Sequence, residues 1–390
     1  MIYLDNNATT QLDPAVLEEM LPFLTTAYGN PSSGYGFAAA ARDAIHLARE
    51  RVAALVGCEP GEIVFTSGGT EASNAALHSA LQLDAQRRHI VTTAVEHSAT
   101  YRYCEHLAKH GYSVTFVAVD RDGNLDLAAL EKAIRPDTAI VSAMWANNET
   151  GVLFPIEQIA DVARGQRVLF HTDAVQAAGK VPMRLRDVSV QYASFSAHKL
   201  HGPKGVGALY LSRRAVFRPM LIGGGQEDGR RSGTENVAAI VGFGKAAELA
   251  ANSLGEMQAR VRATRDRFED VLLREVPDTF VNGNREARVP NTASLSFAGI
   301  EAQAALMLLD QQGICCSAGS ACHTASLQPS RVLAAMQLNE ERINGSLRFS
   351  FSRLNTDAEV DRALQIIPRA MGKLRALAGP RASRGESLAV

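Results

Sequence analysis

The residue with the most distinctive chemistry lies in the stretch Ser194-Phe195-Ser196-Ala197-His198-Lys199-Leu200-His201-Gly202-Pro203-Lys204-Gly205. The apolar run 190–195 reads as a short strand that stops at small and polar residues. A lysine then stands beside a histidine, and the chain turns through Gly202-Pro203 into a second β-like run, 206–211. Partial burial lowers the pKa of such an amine, which can then attack a carbonyl carbon and form a Schiff base. A single lysine on a hairpin is ordinarily a solvated surface group. The rest of the chain decides between the two.

Other polar clusters also follow apolar runs. Thr66-Ser67-Gly68-Gly69-Thr70-Glu71 follows the run 63–66. Its glycines let the backbone approach a ligand, and the helix that follows offers free N–H groups, so Gly69 and Thr70 make a phosphate seat. The turn matches neither the Walker nor the dinucleotide-binding pattern. Glu96-His97, Asn147-Asn148-Glu149-Thr150-Gly151, Asp173 with Gln176, and Ser196 with His198 and Lys199 follow further runs. Singly, each admits a plainer role: the glycine turn or Asp173 as a helix cap, His97 as a structural histidine. All five groups at one sheet edge are hard to explain as caps, because ligands of open α/β sheets bind beyond the carboxyl ends of the strands. Together they are the parts of a pyridoxal 5′-phosphate site. The lysine forms the covalent link, a carboxylate keeps the ring nitrogen protonated, an imidazole stacks, and a glycine turn with hydroxyls holds the phosphate.

These groups need a scaffold, and apolar periodicity supplies one. Strands are predicted over 63–66, 89–93, 114–119, 139–145, 168–172, 192–195 and 206–211. Helices are predicted over 14–24, 38–56, 71–83, 98–110, 127–134 and 156–164. Gly57 is suited to cap the second of these helices at its C-terminus. The alternation is that of an α/β domain with a mostly parallel sheet. Near residue 250 the pattern changes: a long amphipathic helix is predicted over 254–276. Strands at 292–297 and 347–351 follow, with helices at 302–312, 331–336 and 358–377.

Composition narrows the function classes. The 390 residues exceed the size of one small domain. Lys plus Arg number 40 and Asp plus Glu 41, a net charge of −1 that gives no support for nucleic-acid binding. No apolar run approaches the roughly 18 residues of a membrane span. The first ten residues lack the basic-then-apolar plan of a secretory signal. Five scattered cysteines, Cys58, Cys104, Cys315, Cys316 and Cys322, argue for a reducing compartment, and the cytoplasm is expected.

The chain resembles a known family, the cysteine desulfurases among the fold-type I, class V aminotransferase-like enzymes. The resemblance runs from Tyr3-Leu4-Asp5-Asn6-Asn7-Ala8-Thr9-Thr10 to Leu347-Arg348-Phe349-Ser350. It rests most on Trp145-Ala146-Asn147-Asn148-Glu149-Thr150-Gly151, Phe170-His171-Thr172-Asp173-Ala174-Val175-Gln176 and Arg231-Ser232-Gly233-Thr234-Glu235-Asn236. The wording is closest to the nitrogen-fixation type, NifS, with the housekeeping type, IscS, next. The resemblance implies a pyridoxal phosphate-dependent transferase fold of type I. Its large domain holds a seven-stranded, mostly parallel sheet, and a smaller α+β domain follows. The expected division is 1–12 packing with the small domain, 13–250, 251–378 carrying the Cys322 loop, and a disordered tail at 379–390.

It also implies an activity, the conversion of L-cysteine to L-alanine with a persulfide on the enzyme. The sulfur would go to a NifU- or IscU-like iron–sulfur scaffold, in a nitrogenase context. Selenocysteine lyase, cysteine-sulfinate desulfinase and aminotransferase are the alternatives on the same fold. By resemblance Lys199 bears the cofactor, Asp173 pairs with the ring nitrogen and Gln176 bonds the ring oxygen. His97 stacks on the ring and moves protons. Gly69, Thr70, Ser196 and His198 hold the phosphate, which Thr234 reaches from the partner of a homodimer. Asn148 and Arg348 hold the substrate carboxylate, a task that suits a guanidinium fork.

Cys322 is the expected sulfur carrier. Its neighbours, Gly319-Ser320-Ala321 and His323-Thr324-Ala325-Ser326, are small or polar, as befits a reactive thiol on a loop. Cys315 and Cys316 follow Ile314 and read as small core hydrophobes. His323 departs from the small hydroxyl residue expected there. Cys322 is also the expected transient ligand of a cluster shared with the scaffold.

Overall fold

The computed structural model describes residues 1–319 and 329–378; Cys322, His323 and the tail at 379–390 lie outside the described residues. After a two-residue strand, β1 (Ile2–Tyr3), the chain forms helices α1 (Pro14–Thr25) and α2 (Ala39–Val56) and enters the central sheet. Asp13 caps α1 by accepting the Ala15 N–H at 3.0 Å. Gly57 ends α2 in the left-handed conformation, with φ 68° and ψ 47°.

The central sheet contains β2 (Ile63–Thr66), β3 (His89–Thr93), β4 (Ser113–Val117), β5 (Thr138–Ser142), β6 (Leu169–Asp173), β7 (Tyr192–Ser196) and β8 (Gly207–Leu211). Their spatial order is β2-β8-β7-β6-β5-β3-β4. Every pairing is parallel except those of β8, which runs antiparallel to both its neighbours. The predicted strands fall on these seven with end shifts of three residues or fewer.

Because successive side chains point to opposite faces, each strand feeds two cores. Val64, Ile90, Ile140, Tyr192 and Leu209 pack with α3 (Gly69–Leu83) and α4 (Ser98–Ala108). Phe65, Val91, Val141, Ala193 and Ala208 pack on the other side with α1, α2, α5 (Leu127–Ala133), α6 (Ile156–Gly165) and α7 (Val237–Asn252).

Two expectations are corrected. Helix α7 carries no sequence prediction, yet it packs tightly on α1 and α2; a Cβ at its Gly244 would come within 2.4 Å of Ala48 Cα. The helix expected over 254–276 runs continuously over Leu254–Glu275 but is not regular. A short turn, Leu254–Glu256, passes into a π-helical turn, Met257–Val261, before Arg262–Glu275 resumes as α-helix. The whole segment is bent 55° from α7.

The smaller C-terminal domain holds an antiparallel sheet of β9 (Thr279–Val281), β10 (Thr292–Phe297), β12 (Ser317–Ala318) and β13 (Ser346–Ser350), in the order β12-β13-β10-β9. Its interior centres on Phe268, whose ring lies 5.0 Å from that of Phe349 and 5.2 Å from that of Phe351. Ile2 and Leu4 join this core. Strand β1 pairs in parallel with β11 (Ile314–Cys315). Among the described residues no single helix is long and apolar enough to cross a membrane.

Candidate active site

A cavity of about 470 Å³ opens beyond the carboxyl ends of the central strands. Gly69 and Thr70 reach it from the start of α3, His97 from the N-cap of α4, and Asn148 from the loop after β5. Asp173 ends β6, Gln176 stands in the next turn, Ser196 ends β7, and His198 and Lys199 sit in the tight turn that follows. Arg348 enters from β13. Ten residues singled out in the sequence therefore line one cavity. Thr234 does not; it is exposed and lies outside the cavity of its own chain. Cys322 lies outside the described residues.

Lys199 Nζ donates to two backbone carbonyls, Asn7 O at 2.6 Å and Ala8 O at 2.7 Å. Asp173 is buried; its Oδ1 accepts the Val175 N–H at 3.0 Å. Burial pushes its carboxyl up, while His97, the Val175 N–H and Lys199 draw it back down. Burial in turn lowers the pKa of His97, with Asp173 opposing and Lys199 and Arg331 adding to the shift. His97 Nδ1 accepts the Ala99 N–H at 3.2 Å. That bond leaves the ring proton on Nε2 in the neutral imidazole. His97 is thus a helix cap and a cavity residue at once.

Burial brings His198 down to about 4, with Lys199 next as a cause. Its Nδ1 lies 3.1 Å from Thr9 Oγ1. Arg348 is 2% exposed, so its partners matter: Nη2 donates to Asp5 Oδ1 at 2.8 Å and Nη1 to Asn148 O at 3.0 Å. Its Nε and Asn148 Oδ1 are buried without a hydrogen-bond partner among the described residues.

Several cavity residues carry no role from sequence. Glu96 is fully buried, and desolvation pushes it up to about 8 although Thr93 Oγ1 (2.7 Å) and Met144 N (2.9 Å) donate to it. Arg331 donates to Ala94 O and Glu96 O and lies 3.6 Å above the Tyr101 ring. Asn7 and the buried Lys180 connect Lys199 to Gln176. Asp5 and Asn7 enter the sequence reading only within the Tyr3-to-Thr10 stretch, with no role of their own. For Lys180 the available signal was its four-residue spacing from Gln176. Cys316 packs against the small-domain core as expected, whereas Cys315 is half-buried and joins no core cluster; burial raises both thiol pKa values.

The donor set fits pyridoxal 5′-phosphate. A lysine amine and a buried carboxylate face one space, and the N-terminus of α3 opens on it with no side-chain cap. Gly69, Thr70 and Ser196 beside that terminus suit a phosphate. The volume is that of a small-molecule site.

Residues 2–363 match the family described as aminotransferase class-V. A protein named cysteine desulfurase 2 from Trichormus variabilis is 52% identical over 377 residues, covering 97% of this chain and 94% of that protein. A cysteine desulfurase of Cereibacter sphaeroides is 50% identical, covering 96% of this chain and 97% of its own length. Among solved structures, a NifS-like protein superposes with a TM-score of 0.90 at 39% identity, covering 96% of this chain and all of that one. A structure described as SspA in complex with cysteine gives 0.79 at 32% identity over 90% and 99% of the two chains. The chain belongs to the class-V aminotransferase family.

Proposed function

We propose that this protein is a pyridoxal 5′-phosphate-dependent cysteine desulfurase. The observation that carries the reading is the single cavity shared by Lys199, Asp173 and His97. L-cysteine and the Cys322 thiol give L-alanine and a Cys322 persulfide, so the substrate's carbon–sulfur bond breaks as a sulfur–sulfur bond forms. When bound, the cofactor supplies an electron-withdrawing ring that weakens bonds at the substrate's α- and β-carbons.

The chain's own groups do the rest. Asp173 holds the ring nitrogen protonated from within its buried turn. Gly69, Thr70, Ser196 and His198 anchor the phosphate. Arg348 and Asn148 fix the substrate carboxylate, and burial of the guanidinium strengthens that contact. Lys199 Nζ, which the carbonyls of Asn7 and Ala8 hold at 2.6 and 2.7 Å, would carry the cofactor and move the substrate's α-proton. His97, neutral with its proton on Nε2, would lie against the ring and pass a proton.

Chain reach supports the role of Cys322. Gly319 and Ser330 meet beside Glu149, because a Cβ on Gly319 would lie 2.9 Å from Ser330 Cβ and 3.5 Å from Glu149 Oε2. Glu149 and Pro329 line the cavity. A residue three positions beyond Gly319 stays within about 10 Å of it. Cys322 then hands its sulfur to an iron–sulfur scaffold of the NifU or IscU kind, with transient ligation of the shared cluster. The context is nitrogenase assembly in the cytoplasm.

The test is to supply sulfur-labelled L-cysteine and locate the label by mass spectrometry. Persulfide on Cys322 is expected. Lys199→Ala should abolish turnover and the cofactor's covalent link. Cys322→Ala should retain the cofactor's visible absorption and form no persulfide; normal sulfur transfer by it would remove Cys322 from the reaction.

A further inference from the structure

Lys180 is 4% exposed and directs its amine into the wall behind Lys199. Among the described residues no carboxylate pairs with it. Nζ donates to Gln176 Oε1 at 2.5 Å and to Asn7 Oδ1 at 3.3 Å. Burial lowers its pKa well below the usual lysine value, and the charges of Lys199 and Arg348 add to the effect. Burial is the main cause of the lowered pKa values of His198 and His201, and the charge of Lys180 adds the smallest contribution to each. Burying an amine away from any counter-charge is costly, and such groups gather at functional sites.

The donors and acceptors around it have one consistent arrangement. An ammonium only donates, and even a neutral amine keeps two N–H bonds, one for each oxygen it meets. The carbonyl of Asn7 on the other side of Gln176 only accepts, so the end of Gln176 that faces Lys180 is Oε1. Its amide nitrogen is then turned to the other side, where Nε2 donates one hydrogen to Asn7 O at 3.0 Å. The second Nε2 hydrogen remains for the cavity that Gln176 lines. Asn7 is locked in the same way. Its Oδ1 accepts from Lys180 and from Asn291 Nδ2 at 3.1 Å, so its Nδ2 donates to Thr292 Oγ1 at 2.8 Å and Asn148 O at 3.2 Å. Asn7 O accepts from both Gln176 and Lys199.

We propose that Lys180 is a positioning residue that fixes the amide of Gln176 with its N–H toward the cavity, so that the site offers a hydrogen-bond donor to an anionic oxygen on the bound ring. The inference rests on the cofactor assignment made above. A donor aimed at such an oxygen favours its deprotonated form and lowers the proton affinity of the conjugated group it belongs to. Without Lys180, Gln176 Oε1 loses its donor and only the Asn7 carbonyl still opposes turning the amide over; the turned amide would present Oε1, which repels that oxygen.

The readout is the pH midpoint of the visible absorption of protein loaded with pyridoxal 5′-phosphate. Lys180→Met should raise the midpoint by about 1 pH unit, and Lys180→Arg, which retains donors, should bring it back toward wild type. A lysine that merely fills space would lower the melting temperature of Lys180→Met and leave the midpoint unmoved; that result overturns the inference alone. Should Lys180→Met not fold, Gln176→Glu serves with Lys180 in place. A carboxylate there has no N–H to give, so its midpoint must also rise, and an unmoved one refutes the proposal. Wild-type protein that acquires no visible absorption with the cofactor overturns the functional assignment and this inference together.

Discussion

At the scale of single residues, the guanidinium of Arg348 shows how much of the site is held from behind. One arm meets Asp5 and the other the Asn148 carbonyl, so the group is oriented before any substrate arrives. Arg348→Lys keeps the charge and loses this planar fork. Replacing a charge-assisted hydrogen bond, worth about 1.5–3 kcal/mol, should raise KM for L-cysteine roughly ten-fold or more while cofactor absorption stays intact. Steady-state kinetics with a parallel absorption spectrum checks both halves. Lys199, Asp173 and His97 were legible in the sequence because each directly follows an apolar run, and the carboxyl ends of such runs share one edge. Asp5, Asn7 and Lys180 were not. Their meaning depends on partners distant in the chain: Asp5 meets Arg348 and Asn7 meets Lys199, pairs that no local spacing reveals. Lys180 looked like any lysine after Ala-Ala-Gly until burial exposed the problem of its charge.

At the scale of elements, β8 separates β2 from β7, and the Gly68 turn crosses over it. Gly207 makes that crossing feasible. A Cβ there would sit 2.5 Å from Phe195 O and 2.6 Å from Gly68 C, both backbone atoms that cannot swing aside. Gly207→Ala should cost about 1–3 kcal/mol by overpacking and weaken cofactor binding by displacing the start of α3. Thermal unfolding and cofactor titration would detect the two effects.

Strand β6 carries a second constraint. His171 is buried between Ser142 Oγ and Ser194 Oγ, each 2.8 Å away, and desolvation brings it down to about 3. In the unfolded chain a histidine takes up a proton near pH 6.5. Between those values the unfolded state binds the extra proton, so stability falls as pH drops, by at most about 1.4 kcal/mol per unit from this group. His171→Gln should flatten the stability profile between pH 6.5 and 4 in denaturant melts. The strands themselves were readable because buried parallel strands are short apolar runs. Helix α7 escaped because its centre, from Ala238 to Ala247, is buried almost all round and shows no amphipathic period. The π-helical turn at Met257–Val261 leaves no mark in apolar spacing, so the helix over 254–275 was legible and its irregularity was not.

At the scale of the whole molecule, the proposed homodimer makes a sharp genetic test. Thr234→Ala and Lys199→Ala chains should each be inactive or nearly so alone. If Thr234 serves the partner's cavity, mixing the two by denaturation and refolding should restore part of the activity, because one cavity of each mixed dimer receives neither change. No restoration would place Thr234 in its own subunit's chemistry or outside it. The β1 segment has a further consequence for biosynthesis. Residues 5–7 are made long before their partners: Asp5 waits for Arg348, and the Asn7 N–H for Ser350 Oγ at 2.9 Å. Translation at about 5–20 residues per second puts roughly 20–70 s between the halves of each pair. The nascent chain can fold its central sheet early, but the lysine pocket closes only after residues 348–350 have emerged, so the vitamin-derived group waits for the strand that carries them.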